Sequence, residues 1–241
     1  MRFPAWLPLW LAGAVLASAA SAASTEGSSP RLQRIASDYQ CTLYFTPVER
    51  GYVPKRGFRA PSVTLPIRPK PFSPDFLKAV RMEGFGRLDP PAPSGGYLRH
   101  DGHWRVAEAP NGSGDRRLVP RLSCAVAMRA SGLRLGRWVF VRSPELPLVL
   151  RASPWRVDDV GSGVGPRQID LYWGEDVSRN ATDGLHEAAS MPLCRISGVS
   201  VYDVAPDSTL LWAVRRLDGL HLFGLADALL DARLREAEPT R

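Results

Sequence analysis

Apolar and polar residues alternate along much of this chain with the period of a strand. Tyr39, Cys41, Leu43 and Phe45 alternate with polar or small neighbours and stop at Pro47, which predicts a strand over residues 38–47. Residues 49–71 carry many Pro, Gly and Arg without a helical period and predict an extended surface loop, with one short strand at 62–67. Residues 73–84 show the clearest helical pattern. Ser73 supplies an N-cap, Pro74 suits the first turn, Asp75 sits at the positive end of the dipole, and Gly84 terminates the helix. Phe76, Leu77, Val80 and Met82 would form its apolar face. Residues 97–107 then predict a hairpin turning at Asp101-Gly102. Further strands are expected at 118–128, 136–141, 146–150, 194–201 and 210–214. The tail, 224–238, places Leu225, Leu229, Leu230 and Leu234 on one side of a helical wheel, with Asp231 and Arg235 as an i,i+4 pair. Many short strands, one internal helix, a C-terminal helix and frequent Pro/Gly turns predict a mainly β domain.

The densest pattern lies between Trp155 and Gly174. An acidic pair, Asp158 and Asp159, enters a loop with glycines at 161, 163 and 165. Residues 168–173 then alternate, with Ile169, Leu171 and Trp173 on one face and Gln168, Asp170 and Tyr172 on the other. Glycine permits positive φ and close approach of another molecule. The segment therefore predicts a strand, a tight glycine loop, and a second strand that presents a carboxylate beside the loop. The simpler alternative is an ordinary hairpin connection with Asp170 facing solvent.

Composition narrows the compartment and the partners. Arg2, the apolar run 6–17 and the small residues Ser18 to Ala22 match a secretory signal peptide over residues 1–22. Residues 23–37, rich in Ser, Ala and Gly, would follow as a flexible linker. The formal net charge of +7 rests almost wholly on arginine, since Lys55, Lys70 and Lys78 are the only lysines. These charges are scattered, without the basic stripe a nucleic-acid ligand needs, so no nucleic-acid partner is expected. The three cysteines, Cys41, Cys124 and Cys194, are far apart, which argues against a zinc site. An oxidising compartment would permit one disulfide among them, but the spacing does not identify the pair. His100 and His103 flank the hairpin turn without a third ligand nearby. No cofactor is expected.

The spacing of Asp159, Gly161 and Asp170, followed by Leu-Tyr-Trp-Gly, resembles the signature of the three-aspartate (3D) domain, the barrel of membrane-bound lytic murein transglycosylase A. Leu43 to Val48 resembles the first barrel strand of that family, and Glu83 to Arg87 resembles its Glu-Gly-Phe-Gly-Arg phrase. The resemblance implies a double-psi β-barrel over residues 38–205, followed by a C-terminal extension, 206–241, carrying the amphipathic helix. It also implies an exported, periplasmic protein that acts on peptidoglycan glycan strands, with peripheral association with the outer membrane. In such enzymes one carboxyl group protonates the glycosidic oxygen, then takes the proton from the attacking sugar hydroxyl. The resemblance implies that Asp170 is this acid/base and Asp159 its supporting aspartate. Gly161, Gly163, Tyr172, Trp173 and Glu83 are the candidate substrate-binding residues. Two positions depart from the pattern: Arg129 stands where the first family aspartate would be, and Arg179 where a later acid would be. The alternative is a catalytically degenerate cell-wall-binding or structural protein.

Overall fold

The computed structural model describes residues 32–52, 64–67, 71–127, 132–161, 163–176 and 195–237. The signal peptide expected at 1–22, residues 62–63 of the strand expected at 62–67, Arg129, Arg179 and Cys194 lie outside the described residues, and residues 64–67 form a turn and no strand.

Nine strands and four helices make up the described chain, with two short 3-10 turns between them. The strands are β1 (Gln33–Pro47), β2 (Phe85–Ala92), β3 (Gly95–His100), β4 (Trp104–Ala107), β5 (Ser123–Ala127), β6 (Trp138–Arg142), β7 (Pro154–Gly161), β8 (Gln168–Asp176) and β9 (Arg195–Val204). The helices are α1 (Pro74–Glu83), α2 (Leu148–Arg151), α3 (Thr209–Gly219) and α4 (Phe223–Ala237).

Six strands close into a barrel in the order β1-β8-β5-β7-β6-β9. Two of the pairings, β1 with β8 and β5 with β7, are parallel, and the other four are antiparallel. The glycine segment is therefore no hairpin: β5 runs between β7 and β8 and pairs with both. Alternation along each strand sends one set of side chains into a single apolar core. Cys41, Cys124, Val126, Val139, Val141, Trp155, Val157, Ile169, Leu171, Val199 and Val201 meet there, with Leu43 and Trp173 packed against them. At roughly 25 cal/mol per Å² of apolar surface removed from water, this cluster is the main support of the barrel.

The opposite faces of β6 and β9 are covered by α3 and α4. Trp138, Phe140, Tyr202 and Val204 pack there against Leu210, Leu211, Val214, Leu217, Ala226 and Leu230. Burial on both faces explains why β6 reads as an unbroken apolar run instead of an alternating one. A third layer, inserted between β1 and β5, consists of α1 and the antiparallel sheet β2-β3-β4. It has its own core of Phe72, Phe76, Leu77, Val80, Leu88 and Leu98.

Four further expectations are corrected. Residues 33–37, expected to end a flexible linker, instead begin β1, where Gln33, Arg34 and Ala36 pair with Asp203, Tyr202 and Val201 of β9. Residues 146–150 form no strand: Pro147 lacks an N–H for a ladder, and its carbonyl instead accepts from Leu150 (2.9 Å) and Arg151 (3.1 Å) to start α2. Residues 210–214 belong to α3. Ser208 caps that helix by accepting from the Leu211 N–H at 3.4 Å, and Leu210, Leu211, Val214 and Leu217 recur at helical spacing. Met82 is 74% exposed and lies off the buried face of α1. That helix otherwise follows its pattern, ending on Gly84 at φ +83° with the Gly84 N–H donating to the Val80 carbonyl at 2.8 Å. No helix among the described residues is long and apolar enough to cross a membrane.

Candidate functional site

One row of residues crosses five neighbouring barrel strands on the face turned away from the apolar core. Asp159 of β7 is in register with Ala125 of β5, and Ala125 with Asp170 of β8. Asp170 is in turn in register with Thr42 of β1, and Thr42 with Arg195 of β9. Adjacent strands lie about 4.8 Å apart, so the backbones of Asp159 and Asp170 are separated by about 10 Å. The residue between them, Ala125, has only a methyl group, so the two carboxylates flank a shallow position. Two irregularities frame the row. The β1/β8 register skips Trp173 between Tyr44 and Phe45, and the β5/β7 register skips Asp158. Bulges of this kind re-aim side chains. Gly174 accommodates the first with φ +119°, where a Cβ would meet Pro120 at 3.0 Å.

The acidic pair divides its labour. Asp158 is completely buried, accepting from the Ser123 hydroxyl at 2.6 Å and from the Arg156 guanidinium at 2.7 Å. Asp159 remains on the site face, and its Oδ1 accepts from the Ser113 N–H, the Ser113 hydroxyl and the Val160 N–H, each at 2.9 Å. Gly112 makes this possible: a Cβ there would collide with the Asp158 carbonyl, so only glycine lets the Ser113 turn approach β7.

Asp170 is held differently. Its Oδ1 accepts from the Gln168 side-chain amide at 2.9 Å, and the same amide donates to Thr42 Oγ1 at 2.8 Å. Burial raises the Asp170 pKa above the usual carboxylate value, while the Gln168 hydrogen bond and the Arg195 charge oppose the shift. Glu83, at the end of α1, comes close enough to feel Asp170. Burial pushes its pKa up to about 7, a hydrogen bond from the Phe45 backbone pulls it down, and the Asp170 charge adds to the rise. Two acids with raised proton affinity therefore share one neighbourhood.

Aromatic hydroxyls complete the surroundings. Tyr44 and Tyr172 are in register, with ring centroids 5.0 Å apart. The Tyr172 hydroxyl is 2.7 Å from Thr46 Oγ1. Beyond them Tyr97 of β3 donates to Glu175 of β8, which also faces Arg87 of β2 at 3.7 Å. The inserted layer thus touches the strand that carries Asp170.

The structure places the sequence candidates unevenly. Asp159, Asp170 and Glu83 gather at one face. Tyr172 is on that face but only 1% exposed, and Trp173 packs against the core. Gly161, Gly163 and Gly165 form the β7–β8 connection without a positive φ at any of them. Gly163 has open space around its Cα, while the Gly165 N–H donates to Gln168 Oε1 at 3.0 Å. Of the three, Gly165 is the one that holds Gln168, whose amide reaches Asp170. Gln168, Thr42, Ser113 and Tyr44 are site residues that pattern reasoning passed over. Alternation already put Gln168 beside Asp170; the others are brought in by the β1/β8 pairing and by a turn distant in sequence. Cys41 and Cys124 are free thiols buried in the core. Burial pushes the Cys41 pKa up to about 12 and that of Cys124 well above its ordinary value, so neither is a nucleophile. Among the described residues no three His, Cys, Asp or Glu are grouped to hold a metal.

No family model and no curated protein matches the chain. Solved structures do. A membrane-bound lytic murein transglycosylase from Agrobacterium tumefaciens is 15% identical, covering 72% of this chain and 75% of its own, with a TM-score of 0.46. MltA from E. coli with bound chitohexaose is 16% identical, covering 69% and 72%, with a TM-score of 0.44. The lytic transglycosylase LtgG of Burkholderia pseudomallei is 17% identical, covering 71% and 73%, with a TM-score of 0.39. These similar solved structures are of lytic transglycosylases.

Proposed function

We propose that this protein cleaves the glycan strands of peptidoglycan without hydrolysis, using Asp170 as both acid and base. The observation that carries it is the environment of Asp170. Its carboxyl is partly buried on the polar face of the barrel, anchored by Gln168, and burial favours its protonated form. A carboxylic acid of that kind can give its proton to a glycosidic oxygen as the bond to the anomeric carbon breaks. The resulting carboxylate then takes the proton of the sugar hydroxyl that closes onto the same carbon, which yields an anhydro-sugar and restores the acid. No water enters the product. Asp159, fixed by Ser113 and Val160, supports the charge balance of the site and its shape. The two parallel pairings fit a double-psi barrel, and the apolar N-terminal run fits export to the periplasm with peripheral contact at the outer membrane.

A direct test digests murein sacculi with the mature protein. Release of anhydro-muropeptides is expected, and Asp170→Asn should lower the rate by about 10²–10⁴-fold, the usual contribution of a general acid–base group. Undiminished release by that variant would rule out the assigned role. A second reading, glycan binding without cleavage, draws on the three donors committed to Asp159 Oδ1 and on Arg129 at a family aspartate position. It predicts sacculus pull-down with no product from either protein.

A further inference from the structure

Tyr44 stands apart from the Thr42, Ser113 and Tyr172 hydroxyls around the site, each of which has a hydrogen-bond partner. Its phenolic oxygen is buried and has no hydrogen-bond partner among the described residues. The neighbouring Tyr172 hydroxyl, by contrast, is matched with Thr46. A buried polar atom left unmatched lowers stability, and native structures retain one where it serves a purpose. Its position indicates the purpose. Tyr44 follows Thr42 on the site face of β1, its ring lies against Tyr172, and its oxygen lies within electrostatic reach of both Asp159 and Asp170. Burial first, then those two carboxylates, keep the phenol protonated, so it can act as a neutral donor. Asp159 Oδ1 is already occupied by Ser113 and Val160, and Asp170 Oδ1 by Gln168. Neither carboxylate takes the phenolic proton, so the donor is uncommitted among the described residues.

We propose that Tyr44 is a substrate-binding residue, whose hydroxyl donates a hydrogen bond to the acetamido carbonyl of an N-acetylhexosamine seated between Asp159 and Asp170. This rests on the glycan reading of the site. The Asp159 carboxylate disfavours an anionic ligand, and the amide oxygen is the strongest uncharged acceptor on such a sugar. The bond adds affinity and holds the sugar in register beside Asp170.

The test uses the Asp170→Asn protein, so that ligand is bound and not consumed, with chitohexaose as the probe in calorimetry. Adding Tyr44→Phe should weaken chitohexaose binding about five- to tenfold, the usual worth of one hydrogen bond. Cellohexaose, which lacks the acetamido group, should show little difference between the two proteins. Meanwhile the melting temperature of Tyr44→Phe should equal or exceed that of the wild type, because a buried unmatched hydroxyl has been removed. Unchanged chitohexaose affinity overturns the proposal, as does an equal loss for cellohexaose. A lower melting temperature would also overturn it, since the hydroxyl would then have been a structural bond. If Asp170→Asn fails to bind chitohexaose at all, the glycan reading itself falls and the role of Tyr44 falls with it.

Discussion

Glu83 ends helix α1 with its carboxyl withdrawn from water and facing a second acid, so its protonation is coupled to folding. Its pKa rises from an ordinary 4.5 to about 7 in the folded chain. A raised carboxyl pKa means that the folded state holds the proton over a range where the unfolded chain has released it. The stability this contributes is fully present below about 4.5 and is lost as pH rises through about 7. Asp170, also raised, acts in the same direction. Glu83→Gln keeps an oxygen to accept from the Phe45 N–H and removes the titration. Urea denaturation of wild type and Glu83→Gln at pH 4 and pH 8 should therefore show a smaller loss of stability with pH in the variant. The difference is at most about 3 kcal/mol for a shift of this size. Parallel pH dependence in the two proteins would contradict the buried placement of Glu83. At the same scale, Asp158 and Asp159 are neighbours in sequence with separate fates. A bulge at Asp158 lets one carboxyl sink against Ser123 and Arg156 while the next stays at the site.

Helix α4 is attached to the barrel by charge as well as by Leu230. Asp227 receives Arg151 through Nε and Nη2 at 3.1 and 2.9 Å and also binds Arg142, while Asp231 binds Arg142 and not the Arg235 its spacing suggested. Burial alone would raise the Asp227 pKa, but the two guanidinium groups outweigh it and hold the carboxyl below its ordinary value. Arg142 is largely buried, so losing its partner leaves an uncompensated charge beneath the helix. Asp227→Ala should cost about 2–4 kcal/mol in chemical denaturation, whereas Asp231→Ala, at an exposed carboxylate, should cost under about 1 kcal/mol. How far elements were legible follows from their surroundings. Helix α1 carried its own cap, periodicity and terminating glycine, and strands with one wet face showed alternation. The 210–214 run misled because its five apolar residues suit either period, and only Ser208 and the contact with α4 select a helix. At the site, Asp159, Asp170 and Glu83 could be named from a local motif. Tyr44 and Ser113 could not, because the parallel β1/β8 pairing and the approach of the Gly112 turn to β7 join residues far apart in the chain.

In the whole molecule the barrel, the α3/α4 layer and the inserted α1 layer have separate apolar cores, and β1 is the strand on which closure depends. It pairs with β8 on one side and β9 on the other, and it carries Thr42 and Tyr44 to the site while burying Cys41 in the core. Cys124, on β5, is in register with Leu171 of β8, and Cys41 with Ile169 of the same strand. The two thiols therefore lie on either side of β8 inside a closed sheet. Each is inaccessible to solvent and shifted far toward the protonated form. No edge can fray to expose one without opening the barrel, so their reactivity reports closure as a whole. Iodoacetamide in native buffer should modify Cys41 and Cys124 at least roughly 10³-fold more slowly than in unfolded protein, given an ordinary domain stability. In a denaturant series read by peptide mass spectrometry, both should become reactive together at the global midpoint. Rapid modification of either one well below that midpoint would mean that the sheet opens locally between β1 and β5, and the row from Asp159 to Arg195 would then not be a rigid frame for the site.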